Sequence, residues 1–140
     1  MSAINCTGEY LDKHSRNFGP ASDQIHELSS LLTLATALHV NLHVSWGNWY
    51  PHEWELDLIE NTGREPGSGS HILKLLTDAA DLHRREIVGL AQNMSNSRLP
   101  PDEWLLVWYE KHGFIRASTE VHGVRIRRPR SSQMRERREI

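Results

Sequence analysis

Ten residues in the middle of the chain, Asn61-Thr-Gly-Arg-Glu-Pro-Gly-Ser-Gly-Ser70, form a glycine-rich loop. An alternating apolar pattern precedes it, and an apolar helical pattern follows from His71. A strand that runs through such a loop into a helix is a device for holding an anion. The first N–H groups of a helix have no internal partner and carry the positive end of its dipole. Glycines let the chain curl until those groups converge on one ligand. Gly67 and Gly69 supply that freedom, Ser68, Ser70 and His71 lie at the helix start, and Arg64 could add a charge-assisted contact. The loop is not a P-loop, because no Gly-Lys-Ser/Thr follows, and Ile72 stands where the dinucleotide fingerprint needs its third glycine. The plainer alternative is a surface loop without a ligand.

Three carboxylates, Glu53, Glu55 and Asp57, alternate along the segment leading into this loop. Any of them could take a proton, Glu55 first and Glu53 second. The alternative is the polar side of a half-buried strand. Four aromatic residues, Trp46, Trp49, Tyr50 and Trp54, cluster in sequence just before them. They and Asp57 could line a pocket for a cationic amine, or the aromatics could serve core or dimer packing. His39 and His43 are four apart with His52 downstream, but they form no compact ligand motif and no metal is expected. Cys6 is the only cysteine, so an intrachain disulfide and a cysteine-rich zinc module are excluded.

The elements that must position these residues follow from periodicity. Ser22 or Asp23 can cap a helix whose apolar stripe is Ile25, Leu28, Leu32, Ala35 and Leu38. Val40, Leu42, Val44 and Trp46 alternate with polar residues and predict a strand. A second strand carries Trp54, Leu56 and Leu58 on one face and the three carboxylates on the other. Gly47, Asn48 and Pro51 mark the turn of this antiparallel pair. Beyond the loop, Ser70 is the expected cap of a helix through Leu82, and residues 86–93 predict a buried strand. Strand, loop, helix and strand make a βαβ unit with its two strands parallel. Pro100-Pro101-Asp102 opens a third helix, Gly113 ends it, and Phe114–Ala117 and Val121–Ile126 predict a closing pair. The expected fold is α/β or α+β, with a mixed, mainly antiparallel sheet and about three helices.

With 38% apolar and 24% charged residues, 140 residues suit one packed domain over 1–128. Residues 1–20 are polar and poorly defined, and 129–140 form a basic tail expected to be disordered. Residues 1–124 carry 9 Lys+Arg against 16 Asp+Glu, whereas 125–140 carry 7 Arg against 2 Glu. An acidic body does not attract nucleic acid, although it could favour a cationic substrate. The Arg-rich end is read as a solvated terminus, so nucleic acid is not an expected partner. The longest near-apolar run, Leu31 to Val40, is too short to span a bilayer, and no secretory signal is visible, so a cytoplasmic protein is expected.

Two segments together resemble the GNAT N-acetyltransferases. Arg64-Glu-Pro-Gly67-Ser-Gly69-Ser70 is similar to that family's acyl-CoA pyrophosphate loop, Gln/Arg-x-x-Gly-x-Gly/Ala, which lies between the central strand and the next helix. Tyr109-Glu-Lys-His-Gly113-Phe114 is similar to the family's Tyr-Glu-Lys-x-Gly-Phe segment. The segments stand in the family's order, with 45 positions from Arg64 to Tyr109. The likeness covers roughly residues 22–128, as in a small or N-terminally reduced member. It departs at Pro66, which removes a loop N–H, and at Ser68, where an apolar residue is common. The resemblance implies acetyl-CoA as cofactor and direct transfer of acetyl to a primary amine on a small molecule or protein. It implies Tyr109 as the acid for the leaving thiolate, and a backbone N–H near Leu58 or Ile59 for the carbonyl oxygen. Asp102 occupies a position where the family often has a cofactor-contacting Asn, though here it reads as a helix cap. A homodimer is common in the family. The alternative is a catalytically inactive module that binds CoA or a protein partner.

Overall fold

The computed structural model describes residues 25–93, 95–96 and 98–130. The polar segment 1–20, the Ser22/Asp23 cap, Cys6 and the tail beyond Arg130 lie outside the described residues. A 3-10 turn, His26–Leu28, leads into α1 (Ser29–Ala37). Of the apolar stripe, Ile25, Leu28 and Ala35 are buried, and Leu32 and Leu38 pack against the core. β1 (Val40–Trp46) and β2 (Glu53–Asn61) are antiparallel, joined by a turn with a cis Tyr50–Pro51 bond. α2 (Ser68–His83) crosses to β3 (Glu86–Ala91), which runs parallel to β2. α3 (Glu103–Lys111) then leads to the hairpin β4 (Ile115–Glu120) and β5 (Gly123–Arg128).

The sheet order is β1-β2-β3-β5-β4, with β5 inserted beside β3 and β4 on the edge. One parallel pair among four makes the sheet mixed and mainly antiparallel. The core lies between the sheet and the helices. Ile72, Leu73, Leu76 and Ala80 recur on one side of α2 and meet Val44, Trp54, Leu56 and Ile87. Polar ties hold the helix ends. Arg85 forks onto Glu27 with bonds of 2.8 and 3.2 Å, and Arg128 forks onto Asp81 at 2.8 and 3.1 Å while donating to the His112 carbonyl. No described helix is long and apolar enough to cross a membrane.

The closing strands, expected at Phe114–Ala117 and Val121–Ile126, run further along the chain, β3 stops at Ala91 rather than Asn93, and two more differences bear on the site. α2 starts at Ser68, with Gly67 rather than Ser70 as its cap. Gly67 has φ +88°, a left-handed conformation that costs other residues about 1–2 kcal/mol. The second difference is a β-bulge. His43 pairs with Leu58 but Val44 pairs with Leu56, so Asp57 is an extra residue in β2. The alternation of β2 slips there. Ile59 pairs with core Leu42 and packs on the core, whereas Leu58 pairs with exposed His43 and stands outside the main core cluster. A second bulge falls at Ala117 in β4.

Candidate active site

The parallel pair of β2 and β3 opens like a fork. Rungs run from Glu53–Glu86 to Leu56–Gly89 and stop. Beyond them β2 continues to Asn61 paired with β1, and β3 continues to Ala91 paired with β5. Gly89 sits at the last rung, where a Cβ would come to 3.0 Å of the Leu56 carbonyl oxygen. A side chain there would push the fork apart.

Two cavities lie along the opening. The inner one, about 60 Å³, is walled by Leu56, Asp57, Leu58, Gly89 and Ala91, with Tyr109 of α3 beside them. The outer one, about 520 Å³, runs past Asn61 to Gly67, Gly69 and Ser70, with Trp104 and Trp108 on the α3 side. The two share walls at Ile59, Gln92 and Leu105.

The outer end is formed by the glycine-rich loop and the first turn of α2. Asn61 organises it, accepting from the Gly63 N–H at 3.0 Å and donating to the Glu65 carbonyl at 2.9 Å. Thr62 ties the loop to the His39 carbonyl through both its N–H and its hydroxyl, each at 2.8 Å. The His71 N–H is bonded to the Gly67 carbonyl at 2.9 Å, so the helical donors without an internal partner are those of Ser68, Gly69 and Ser70. The His71 and Arg64 side chains are exposed and stand outside the cavity walls. Trp108 donates its indole N–H to the Ser70 hydroxyl at 2.7 Å. That bond ties α3 to the first turn of α2.

The inner end brings Tyr109, Asp57 and the bulge together. Tyr109 is buried, stacks edge-on to Phe114 at 5.3 Å, and has no hydroxyl hydrogen-bond partner among the described residues. Burial pushes its phenol up to about 12, so it keeps its proton through neutral pH. Asp57 accepts a 2.7 Å bond from the Ser45 hydroxyl. A bulge sets its extra residue outside the regular ladder, so Asp57 breaks the register of β2 at the cavity that Tyr109 also lines. Leu58 and Ile59, expected near the acyl carbonyl, line this part of the fork.

Other candidates are placed elsewhere. Glu53 lies at the closed end of the fork, buried, accepting from the Asn48 N–H at 3.0 Å. Burial and neighbouring Glu86 push its carboxyl up, while the N–H groups of Asn48 and Trp49 and the Arg127 charge oppose that. Glu55 is half-buried two rungs on, between Ser45 and Val88, outside both cavity walls. Thus Asp57, of the three carboxylates, shares a cavity with Tyr109. The aromatic group divides. Trp46 and Trp54 are core, Trp54 fully so, whereas Trp49 is 73% exposed and Tyr50 stacks on Trp46 at 4.8 Å. All four sit at the β1–β2 turn end of the strands, away from the cavity walls. Asp102 is the N-cap residue of α3, but its carboxylate accepts from the Trp104 indole at 3.2 Å rather than from a helix N–H. No group of three or more His, Cys, Asp or Glu suited to a metal occurs among the described residues.

No protein-family profile matches this chain, and no curated protein does. A solved structure, the crystal structure of the anti-CRISPR protein AcrVA5, aligns with 64% of this chain and 88% of that chain at 21% identity, with a TM-score of 0.45. A likeness of that degree says nothing about activity.

Proposed function

We propose that the protein binds acetyl-CoA in the β2–β3 fork and transfers its acetyl group directly to a primary amine. The observation that carries this reading is the alignment of three features along one opening. The first turn of α2, which no side chain caps, lies at the outer end, and the bulge of β2 and the buried Tyr109 lie at the inner end. The two segments on which the family resemblance rests thus contribute to one pair of adjoining cavities. The outer cavity, about 520 Å³, is of ligand-binding size.

The residues present suit that group. Ser68, Gly69 and Ser70 would hold its pyrophosphate, and the apolar walls of the fork would hold its pantetheine. Acetyl-CoA supplies an acyl group already activated as a thioester. Tyr109 holds a proton where a thiolate would leave, and its high pKa keeps that proton available. A backbone N–H near Leu58 or Ile59, both in the wall of the inner cavity, would donate to an oxygen on which charge develops. Asp57, fixed by Ser45, takes the amine proton in place of Glu55 or Glu53. As the amine nitrogen bonds the acyl carbon and the carbon–sulfur bond breaks, the amine proton goes to Asp57 and the sulfur takes the Tyr109 proton, and return of a proton from Asp57 to Tyr109 through solvent restores both groups.

Calorimetric titration with acetyl-CoA tests the reading, with Gly67→Glu/Gly69→Glu as control. Saturable binding that the control loses is the expected result. A folded wild type that binds nothing rejects it. A second reading, a CoA-binding or protein-interaction module without turnover, draws on the placement of Arg64 and the aromatic residues outside the cavity walls. Activity against amine and protein panels that disappears in Tyr109→Phe, with acetyl-CoA affinity kept, decides for catalysis.

A further inference from the structure

We infer that the acceptor is a free amino acid, its amine meeting Asp57 and its carboxylate held by Arg125. The inference rests on the acetyl-transfer reading above and names the acceptor of that same site.

The two sides of the sheet differ at the fork. Leu56, Ile87 and Ile126 join the core on the helix side, where Tyr109 also packs. Residues that alternate with them turn to the other side. Ser45 lies between the core residues Val44 and Trp46, and its bond to Asp57 brings that carboxylate to this second side. Arg125 lies between Val124 and Ile126, which pack on the core, so its side chain leaves the sheet on the second side too. An amine that reaches Asp57 from here arrives opposite Tyr109.

Arg125 stands in the row of Asp57. It pairs with Leu90, and Leu90 lines the inner cavity together with Asp57. Arg125 is half-buried and has no ion-pair or hydrogen-bond partner among the described residues. The other arginines of the hairpin are occupied: Arg116 by Glu103 and Glu110, Arg127 by Glu86, and Arg128 by Asp81. On the far flank of Arg125, Ser118 gives its hydroxyl to Glu120. A half-buried guanidinium without an anion has lost hydration for no return, and a carboxylate that meets it bidentately offsets that cost.

From Asp57 to Arg125 is two strand spacings, about 10 Å between backbones. Arg125 is long enough to reach back across Leu90, which leaves room for a small molecule with an amine at one end and a carboxylate at the other. A free amino acid has that composition. A lysine side chain or a peptide N-terminus brings an amine without its own carboxylate, and a polyamine brings a second cation towards Arg125. The step itself is the one described above. The amine nitrogen bonds the acyl carbon and gives its proton to Asp57, the sulfur leaves with the Tyr109 proton, and the acceptor carboxylate stays ionised.

The test compares wild-type turnover of free amino acids with that of their amides, which keep the amine and lose the carboxylate charge. For the acids that are used, kcat/KM should exceed that of the matching amides by about thirtyfold. Arg125→Gln should raise KM for the acids by about tenfold, with a smaller effect on kcat, and erase most of the preference. Arg125→Lys, a point charge without the fork, should restore part of it. Acetyl-CoA affinity, measured by calorimetry, checks that each variant is folded. Amides used within about threefold of the acids would overturn the inference. So would a preference that survives Arg125→Gln. Acetylation of diamines or peptide N-termini in place of amino acids would overturn it and leave acetyl transfer standing. A folded wild type that binds no acetyl-CoA would remove the acetyl-transfer reading itself, and this inference with it.

Discussion

The two ends of the β2–β3 pair use similar residue types for opposite ends. At the closed end the strands are hydrogen-bonded, and polar side chains complete the structure. Glu53 receives a turn N–H, and Glu86 pairs with Arg127 at 2.6 Å. At the open end the rungs are missing. Asp57 sits on a bulge and shares a cavity with a buried phenol, and Glu60 has an enclosed oxygen without a hydrogen-bond partner among the described residues. A carboxylate is therefore not informative by type. Its position relative to the last rung decides whether it supports the fold or lines a cavity.

The contrast can be broken most sharply at Tyr109. Tyr109→Phe should lower kcat by about a thousandfold while leaving acetyl-CoA affinity nearly unchanged, read by steady-state kinetics beside calorimetry. An unchanged kcat would make Tyr109 a packing residue. Next, Gly69→Glu should weaken acetyl-CoA binding by about a hundredfold, because it sets a carboxylate against the ligand phosphate at the helix start. Asp57→Asn should reduce kcat by at least about tenfold, whereas Glu55→Gln should change it little. The reverse order would return the base role to Glu55. Trp108→Phe removes one indole donor and should cost about 1 kcal/mol in ligand binding or stability.

The smallest effect belongs to the closed end. The Glu53 carboxyl lies above its ordinary value of 4.5 in the folded state, so protonation favours folding. Stability from this group is full below that value and falls as pH rises through the raised one. Glu53→Gln keeps an acceptor for the Asn48 N–H and removes that loss. Its melting temperature should exceed that of wild type at pH 7, with the gap closing at pH 4 and turnover unchanged. A loss of turnover would put Glu53 in the chemistry after all.

Much of the architecture was legible because residue type and environment agree. Val40–Trp46 alternates in residue type and the strand has those bounds, with Ser45 the exception that is polar yet buried. The glycine-rich loop separates two unmistakable periods, so the crossover and the parallel pair follow. The bulge was hidden because Leu58 is apolar at the position where unbroken alternation also wants an apolar residue. Only pairing with His43 reveals the slip. The helix start was misplaced because Ser70 is a good cap by type, whereas Gly67 caps by backbone conformation alone. Ser70 instead receives the Trp108 indole across 38 positions, a contact that no local pattern encodes. The aromatic residues were close in sequence to the carboxylates, but a strand carries neighbours away from each other at about 3.3 Å per residue. Trp54 and Asn61 therefore mark opposite ends of β2.

The outer strand of the sheet has a consequence for how the molecule behaves in a crowded solution. Every residue of β4 is exposed, and its outward backbone groups face no neighbouring strand among the described residues. Such a strand is a template on which other chains can assemble. Here the bulge at Ala117 twists the template, and Arg116 and Glu120 set charge along it. The protein thus carries its own safeguard against aggregation on the side of the sheet farthest from β1, independent of whatever the fork binds.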